Sequence, residues 1–164
     1  MPSNEGSPQS TTESSPSSTA SSGPKKEPDF SNEALCDLLT ADEAVSLGGG
    51  TAGEPGNSIK DGHPQCAWSD ATSLILGFQK GAGYTPPSDP EITNTDITIA
   101  GKPAILSKRV SSVRTNCQVI FQPSDDSVLS TLAGLHDKGV GQFEECALAT
   151  KFANIVIPKV LEYY

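Results

Sequence analysis

Four cysteines, Cys36, Cys66, Cys117 and Cys146, limit what this chain can fold into more than any other feature. Their number is even, and their sequence separations are 30, 51 and 29 residues. No Cys-x-x-Cys pair occurs, which weakens a structural zinc site, because such sites draw on close-set ligand pairs. Two disulfides are the better reading, and they imply an oxidising compartment. Three pairings are open. Cys36–Cys66 with Cys117–Cys146 is preferred, because each bridge then joins the start of a helix to a nearby strand. Closing loops of this length contributes roughly 3–4 kcal/mol per bridge in the chain-entropy model.

The bridges concern only part of the chain. Residues 1–24 contain 9 Ser, 3 Thr, 4 Pro and 2 Gly. Such a stretch cannot bury enough apolar surface to offset the entropy of ordering it. Residues 1–29 are therefore expected to be a disordered Ser/Thr/Pro-rich tether, and residues 30–164 a single domain. The whole chain carries −9, of which the tether holds −2 (Glu5, Glu13, Glu27 and Asp29 against Lys25 and Lys26). A folded part at −7 lacks the basic face that nucleic acid or an anionic membrane surface requires. No apolar run is long enough to span a bilayer. Met1 leads straight into polar residues, so no signal peptide is read, and an exported chain that starts after its targeting segment is expected.

Hydrophobic periodicity and turn residues divide the domain. Phe30 to Leu47 reads as two short helices, or one broken near Thr40, where Thr40-Ala-Asp-Glu43 has the capping-box pattern. Residues 48–64 are rich in Gly with two Pro and read as a long loop. Strands are expected at 65–70 and 73–80, joined by a hairpin link, then, after a Pro-rich loop at 81–95, at 96–100, 103–110 and 116–122. A tight turn is expected at Gly101-Lys102. Ser127 to Leu135 reads as the last strand, although its pattern also fits a short helix. Gln142 to Leu161 is the most helical stretch, with Glu144 and Glu145 suited to its N-terminal dipole and a kink or end expected near Pro158. The expected fold class is α+β: an antiparallel sheet of about five strands packed by N-terminal and C-terminal helices.

The order of Cys36 to Glu43, Cys66-Ala-Trp68, Gly101 to Ala104, Cys117-Gln-Val119, and Cys146 to Ala149 with Ala153 resembles the domain-of-unknown-function family 3558, found in actinobacterial envelope lipoproteins. The likeness covers roughly residues 30–160. It implies an exported protein held by a lipid on a cysteine just upstream of the tether. It also implies similarity to the sensor domains of mycobacterial receptor kinases, with an α+β sheet and two disulfides. It implies no activity, and no catalytic residue can be carried over from it.

Candidate chemistry is sparse. Gly48-Gly49-Gly50-Thr51-Ala52-Gly53 matches G-x-G-x-x-G, but a helix precedes it and a Pro/Gly loop follows, the reverse of a dinucleotide site, so a flexible loop is preferred. His63 lies three residues before Cys66, and His136 is the only other imidazole, so a zinc ligand set is not assembled. No Gly-x-Ser-x-Gly elbow occurs. The adjacent carboxylates Asp125-Asp126 and Glu144-Glu145 point apart on any regular element. Trp68 is expected to pack against a bridge or helix, and Tyr163 and Tyr164 to form a packed or frayed end. Residues 97–124 carry Lys102, Lys108, Arg109 and Arg114 and no acid, a local +4 that could bind an anionic wall polymer, a headgroup or an acidic partner; solvated edge-strand charge is the plainer reading. No catalytic residue, metal ligand or cofactor is assigned. The expectation is a monomeric, non-enzymatic, extracytoplasmic domain that binds an envelope ligand or protein partner and touches the membrane only through an upstream lipid anchor. A small envelope hydrolase or transferase, or a structural part of a secretion or wall assembly, are the alternatives.

Overall fold

The computed structural model describes residues 28–81 and 85–164, so nearly all of the expected tether lies outside the described residues. Local capping sets the N-terminal region. The Ser31 hydroxyl accepts from the Ala34 amide at 3.1 Å and opens α1 (Asn32–Cys36). The Thr40–Glu43 capping box forms as expected: the Thr40 amide donates to Glu43 Oε2 at 2.8 Å and the Glu43 amide to Thr40 Oγ1 at 3.2 Å, opening α2 (Ala41–Ser46).

Seven strands follow among the described residues: β1 (Glu54–Asn57), β2 (Pro64–Ser69), β3 (Thr72–Lys80), β4 (Ile92–Ile99), β5 (Lys102–Val110), β6 (Thr115–Ser124) and β7 (Ser127–Leu135). After a 3-10 turn at Asp137–Gly139, α3 (Glu145–Leu161) closes the domain. All pairings are antiparallel, in the order β1-β2-β3-β7-β6-β5-β4. Ser127 to Leu135 is thus a strand, and it sits at the sheet's centre.

The fold class is as expected, but the sheet has seven strands rather than about five. β1 falls inside the expected 48–64 loop. Pro55 and Gly56 are poor strand formers, and they are tolerated because β1 is an edge strand. At the opposite edge, β4 starts at Ile92 rather than Asp96, since its exposed Thr93-Asn94-Thr95 shows no apolar alternation. The β4–β5 turn is Ala100-Gly101, one residue earlier than expected, and both residues have positive φ (53° and 77°), as a two-residue hairpin loop demands. The stretch 48–53 is not loose: Gly48 and Gly49 are buried, and a Cβ at Gly53 would lie 2.4 Å from Cys66 Sγ and 2.7 Å from Trp68 Cε2. Pro158 does not end α3. It lies on the exposed side, while Val156, Ile157 and Val160 continue the buried stripe beneath it.

All three helices pack on one face of the sheet. Their core partners include Trp68, fully enclosed and edge-on to Phe152 with ring centroids 5.9 Å apart. The preferred cysteine pairing is the observed one: Cys36–Cys66 ties α1 to β2, and Cys117–Cys146 ties β6 to α3, with Cα separations of 5.2 and 5.0 Å. One detail differs, since Cys36 ends its helix whereas Cys146 begins one. The chain end is packed: Tyr163 stands edge-on to Phe30 at 5.1 Å, and the Tyr164 hydroxyl meets Ser127 Oγ at 3.0 Å.

Lys159 Nζ joins α3 to the N-terminal helices, donating to Glu43 Oε2 at 2.7 Å and to Leu38 O at 2.9 Å. Desolvation pushes the Glu43 carboxyl up, but hydrogen bonds from Lys159 and Thr40 and the lysine charge outweigh it and leave its pKa below the ordinary value. A carboxylate with a depressed folded pKa stabilises the fold above its unfolded pKa and loses that contribution as pH falls through the folded value. Glu43→Gln should therefore destabilise by about 0.5–1 kcal/mol at neutral pH, as a partly exposed pair does. The gap to the unsubstituted protein should close on acidification through the carboxylate range, and thermal unfolding across that range checks it.

Candidate functional site

Side chains alternate between the faces of a strand. With Cys66, Leu76 and Cys117 turned toward the helices, their neighbours must line the other face. That face carries Ser73, Ile75, Gly77 and Gln79 from β3, Val128, Ser130, Leu132 and Gly134 from β7, and Asn116, Gln118 and Ile120 from β6. No helix among the described residues covers it. Two of its positions have no side chain. Gly77 sits in the row Gly77–Ser130–Ile120, and Gly134 in the row Ser73–Gly134–Asn116. A hollow lies over each.

The larger hollow, about 300 Å³, lies over Gly77. Ile120, Val128, Ser130, Gln79 and Gln118 form its floor, and Ser58, Lys60, Asp61 and His63 on one side and Thr85 and Pro87 on the other form its walls. The β1–β2 hairpin loop that supplies the first wall is internally tied. Ser58 N donates to His63 O and Gly62 N to Ser58 O, both at 2.8 Å, with Gly62 at φ 75°. Asn32 of α1 anchors it by donating to Asn57 Oδ1 at 2.9 Å. The His63 ring leans over the glycine: a Cβ on Gly77 would lie 3.1 Å from His63 Nε2 and 3.3 Å from Ser130 Oγ. His63 Nδ1 meets Asp61 Oδ1 at 2.5 Å. Desolvation acts to raise the Asp61 carboxyl, but hydrogen bonds from Ser58 and His63 and the imidazole's charge outweigh it and hold it below its ordinary value.

The second hollow, about 150 Å³, lies over Gly134 and is lined by Ser73, Ile75, Arg114, Asn116, Leu132, Leu135 and His136. A third, about 230 Å³, adjoins the first at Ile120 and reaches Asp96, Pro103, Ile105 and Gln122. The first two lie along the same three strands with the row Ile75–Leu132–Gln118 between them, and the stretch of open face that carries both is the groove referred to below.

The four basic residues singled out from sequence are not brought together. Lys102 stands at the Ala100-Gly101 end of β5, and six residues along the strand, roughly 20 Å, separate it from Lys108. Lys108 pairs in register with Cys117 on the helix side. There its charge is a minor contributor to the lowered pKa of Glu144, whose main cause is the hydrogen bond from the Cys146 amide. Arg109 lies on the open face and is held by Asp89 Oδ2 and Glu91 Oε1, both at 3.1 Å. Arg114 alone lines the groove. His63 also lines it, while its sequence neighbour Cys66 is bridged on the opposite face. Among the described residues no three His, Cys, Asp or Glu side chains cluster as metal ligands. Sequence reasoning missed Gly77, Gly134, Gln118 and Ser130. The available signal was an isolated glycine inside each of two expected strands, a mark of close approach or of a missing side chain.

Gly77→Ala should shift the His63 ring by a few tenths of an ångström, because a Cβ there would approach its Nε2 to 3.1 Å, tighter than an ordinary contact. Global stability should change by no more than about 1 kcal/mol, while imidazole ¹H–¹⁵N signals report the loosened contact with Asp61.

A family model described as "Protein of unknown function (DUF3558)" matches residues 2–159. No curated protein and no solved structure matches.

Proposed function

The chain belongs to the DUF3558 family of proteins of unknown function, and from that premise we propose that it is an extracytoplasmic, non-enzymatic domain that binds a small ligand in the groove of its open sheet face. The observation that carries the reading is a sheet that, among the described residues, has helices on one side only, and whose other face is hollowed at Gly77 and Gly134 and lined with hydrogen-bonding groups. The hydroxyls of Ser58, Thr85 and Ser130, the amides of Gln79 and Gln118 and the Asp61–His63 pair surround an apolar floor of Ile120 and Val128. A few convergent polar groups above an apolar floor, at about 300 Å³, are what a small polar ligand requires. Two disulfides fit work in an oxidising compartment.

One observation favours a second reading, a hydrolase. Asp61 orients His63, and Ser130 Oγ faces the same hollow. Two features weigh against it. No hydrogen bond joins His63 to Ser130. Ser130 also lies mid-strand between β3 and β6, where backbone amides belong to the ladder and none converge as oxyanion donors.

Titration of the ¹⁵N-labelled full chain with a muropeptide and oligosaccharide mixture tests the proposal. Saturable shifts at Gly77, Gln118 and Ser130 are expected, with hydrolysis of an activated ester no faster than for Ser130→Ala. Shifts confined to the helix side would contradict binding in the groove, and hydrolysis lost in Ser130→Ala would favour the enzyme.

A further inference from the structure

We propose that the Gly134 end of the groove is an anion subsite, in which Arg114 and His136 take the carboxylate or phosphate end of the ligand; this rests on the binding reading above and names the class of molecule it accepts. The subsite begins with a missing side chain. Gly134 pairs with Ser73 on one side and Asn116 on the other, so a hydroxyl and an amide flank an empty centre. The resulting hollow is about 150 Å³, enough for one such group and a few further atoms.

Arg114 is presented to that hollow by a rigid turn. Ser111 N and Ser111 Oγ donate to Arg114 O at 3.0 and 2.9 Å, and Arg114 N donates back to Ser111 Oγ at 3.2 Å. These bonds hold its backbone and leave the guanidinium uncommitted: among the described residues no carboxylate pairs with it. Arg109, five residues earlier, is already engaged by two carboxylates. Among the described residues no acid lines the Gly134 hollow, although the chain as a whole carries −9. Asp70, the nearest acid in sequence to Ser69, is held by Lys138 at 2.5 Å, and Asp137 opens the 3-10 turn outside the lining.

His136 is fixed in the same way. Its amide donates to Ala71 O at 3.0 Å, and its Nε2 meets Ser69 Oγ at 2.9 Å. Nδ1 has no partner among the described residues. A guanidinium presents a planar fork that matches two oxygens of a carboxylate or phosphate. The His136 ring adds a second hydrogen-bonding edge through Nδ1, and Ser73 and Asn116 supply neutral groups. Ser73 and Gly77 are four residues apart on β3, so the anion subsite lies roughly 13 Å from the larger hollow, where hydroxyls and amides stand beside one cation, Lys60, and one carboxylate, Asp61. The groove therefore suits an elongated ligand with a polar body of no net charge and one anionic end.

The test uses the isotopically labelled full chain at constant ionic strength, with inorganic phosphate and acetate as separate probes and chloride as the balancing ion. Saturable shifts at the Gly134 amide and Arg114 Nε are expected, larger with phosphate for a phosphate-ended ligand and larger with acetate for a carboxylate-ended one. Arg114→Gln should weaken the response at least about tenfold, as loss of a charged hydrogen-bond donor does. Gly134→Val should abolish it without unfolding, because the nearest atom to a Cβ there is Asn116 Cβ at an ordinary 4.0 Å. No saturation by either anion, or unchanged shifts in Arg114→Gln, overturns the subsite. If the muropeptide mixture still shifts Gly77 in that case, the groove stands and only the subsite falls. If the anions saturate at Gly134 while no mixture shifts Gly77, it is the wider binding reading that fails.

Discussion

Two disulfides leave the sheet on the same side, and the rest of the molecule follows from that. Cys66 on β2 and Cys117 on β6 both point toward the helices, so the Cys36 and Cys146 bridges tie α1 and α3 to one face. Strand alternation then decides which residues meet the core and which meet solvent. Trp68, Leu74, Phe121 and Phe152 are enclosed on the bridged side. Ser73, Gln118 and Ser130 are left to the other. A domain of this size, with short N-terminal helices, has few other ways to hold α1 against a sheet edge, and cross-links that restrict the unfolded chain compensate for a small core.

The open face is more than what the helices leave uncovered. A bare sheet surface would carry a continuous layer of side chains, whereas this one is interrupted at Gly77 and Gly134, in different strands and different rows. The β1–β2 loop rises beside the first gap and lays the His63 ring across it, steadied by Asp61. Arg114 and His136 border the second, each held by hydrogen bonds to its own neighbourhood rather than by a counter-charge. The helix side uses its charges differently: Glu43 and Lys159 neutralise each other, and Glu144 caps α3. Those helix-side charges are engaged within the fold, whereas the Arg114 guanidinium has no carboxylate partner among the described residues.

Much of the architecture was legible in the sequence because its signals are local. The Thr40–Glu43 box and the alternation through β3 and β6 each point to one structure, and of the three open cysteine pairings the one that joins helix to nearby strand is the one found. What escaped is either edge or long-range. β1 contains Pro55 and Gly56, which disguise a strand that needs only one partner, and β4 is polar on both faces for most of its length. The candidate site was the least legible part. Gly77 and Ser130 meet only because β7 returns to pair with β3, and Arg114 joins His136 only once β6 lies against β7. Charge counting grouped Arg114 with Lys102, Lys108 and Arg109, but the pleat and the turns send those four to different places.

The claim on which all this rests is that both helical regions are cross-linked to one face of the sheet. Peptide mapping of the non-reduced full chain by mass spectrometry tests it directly, because trypsin places the four cysteines in four separate peptides, 27–60, 61–80, 115–138 and 139–151. The account predicts peptide 27–60 joined to 61–80, peptide 115–138 joined to 139–151, and no free thiol. A link between 61–80 and 115–138, or unmodified cysteine in any of the four, would contradict it.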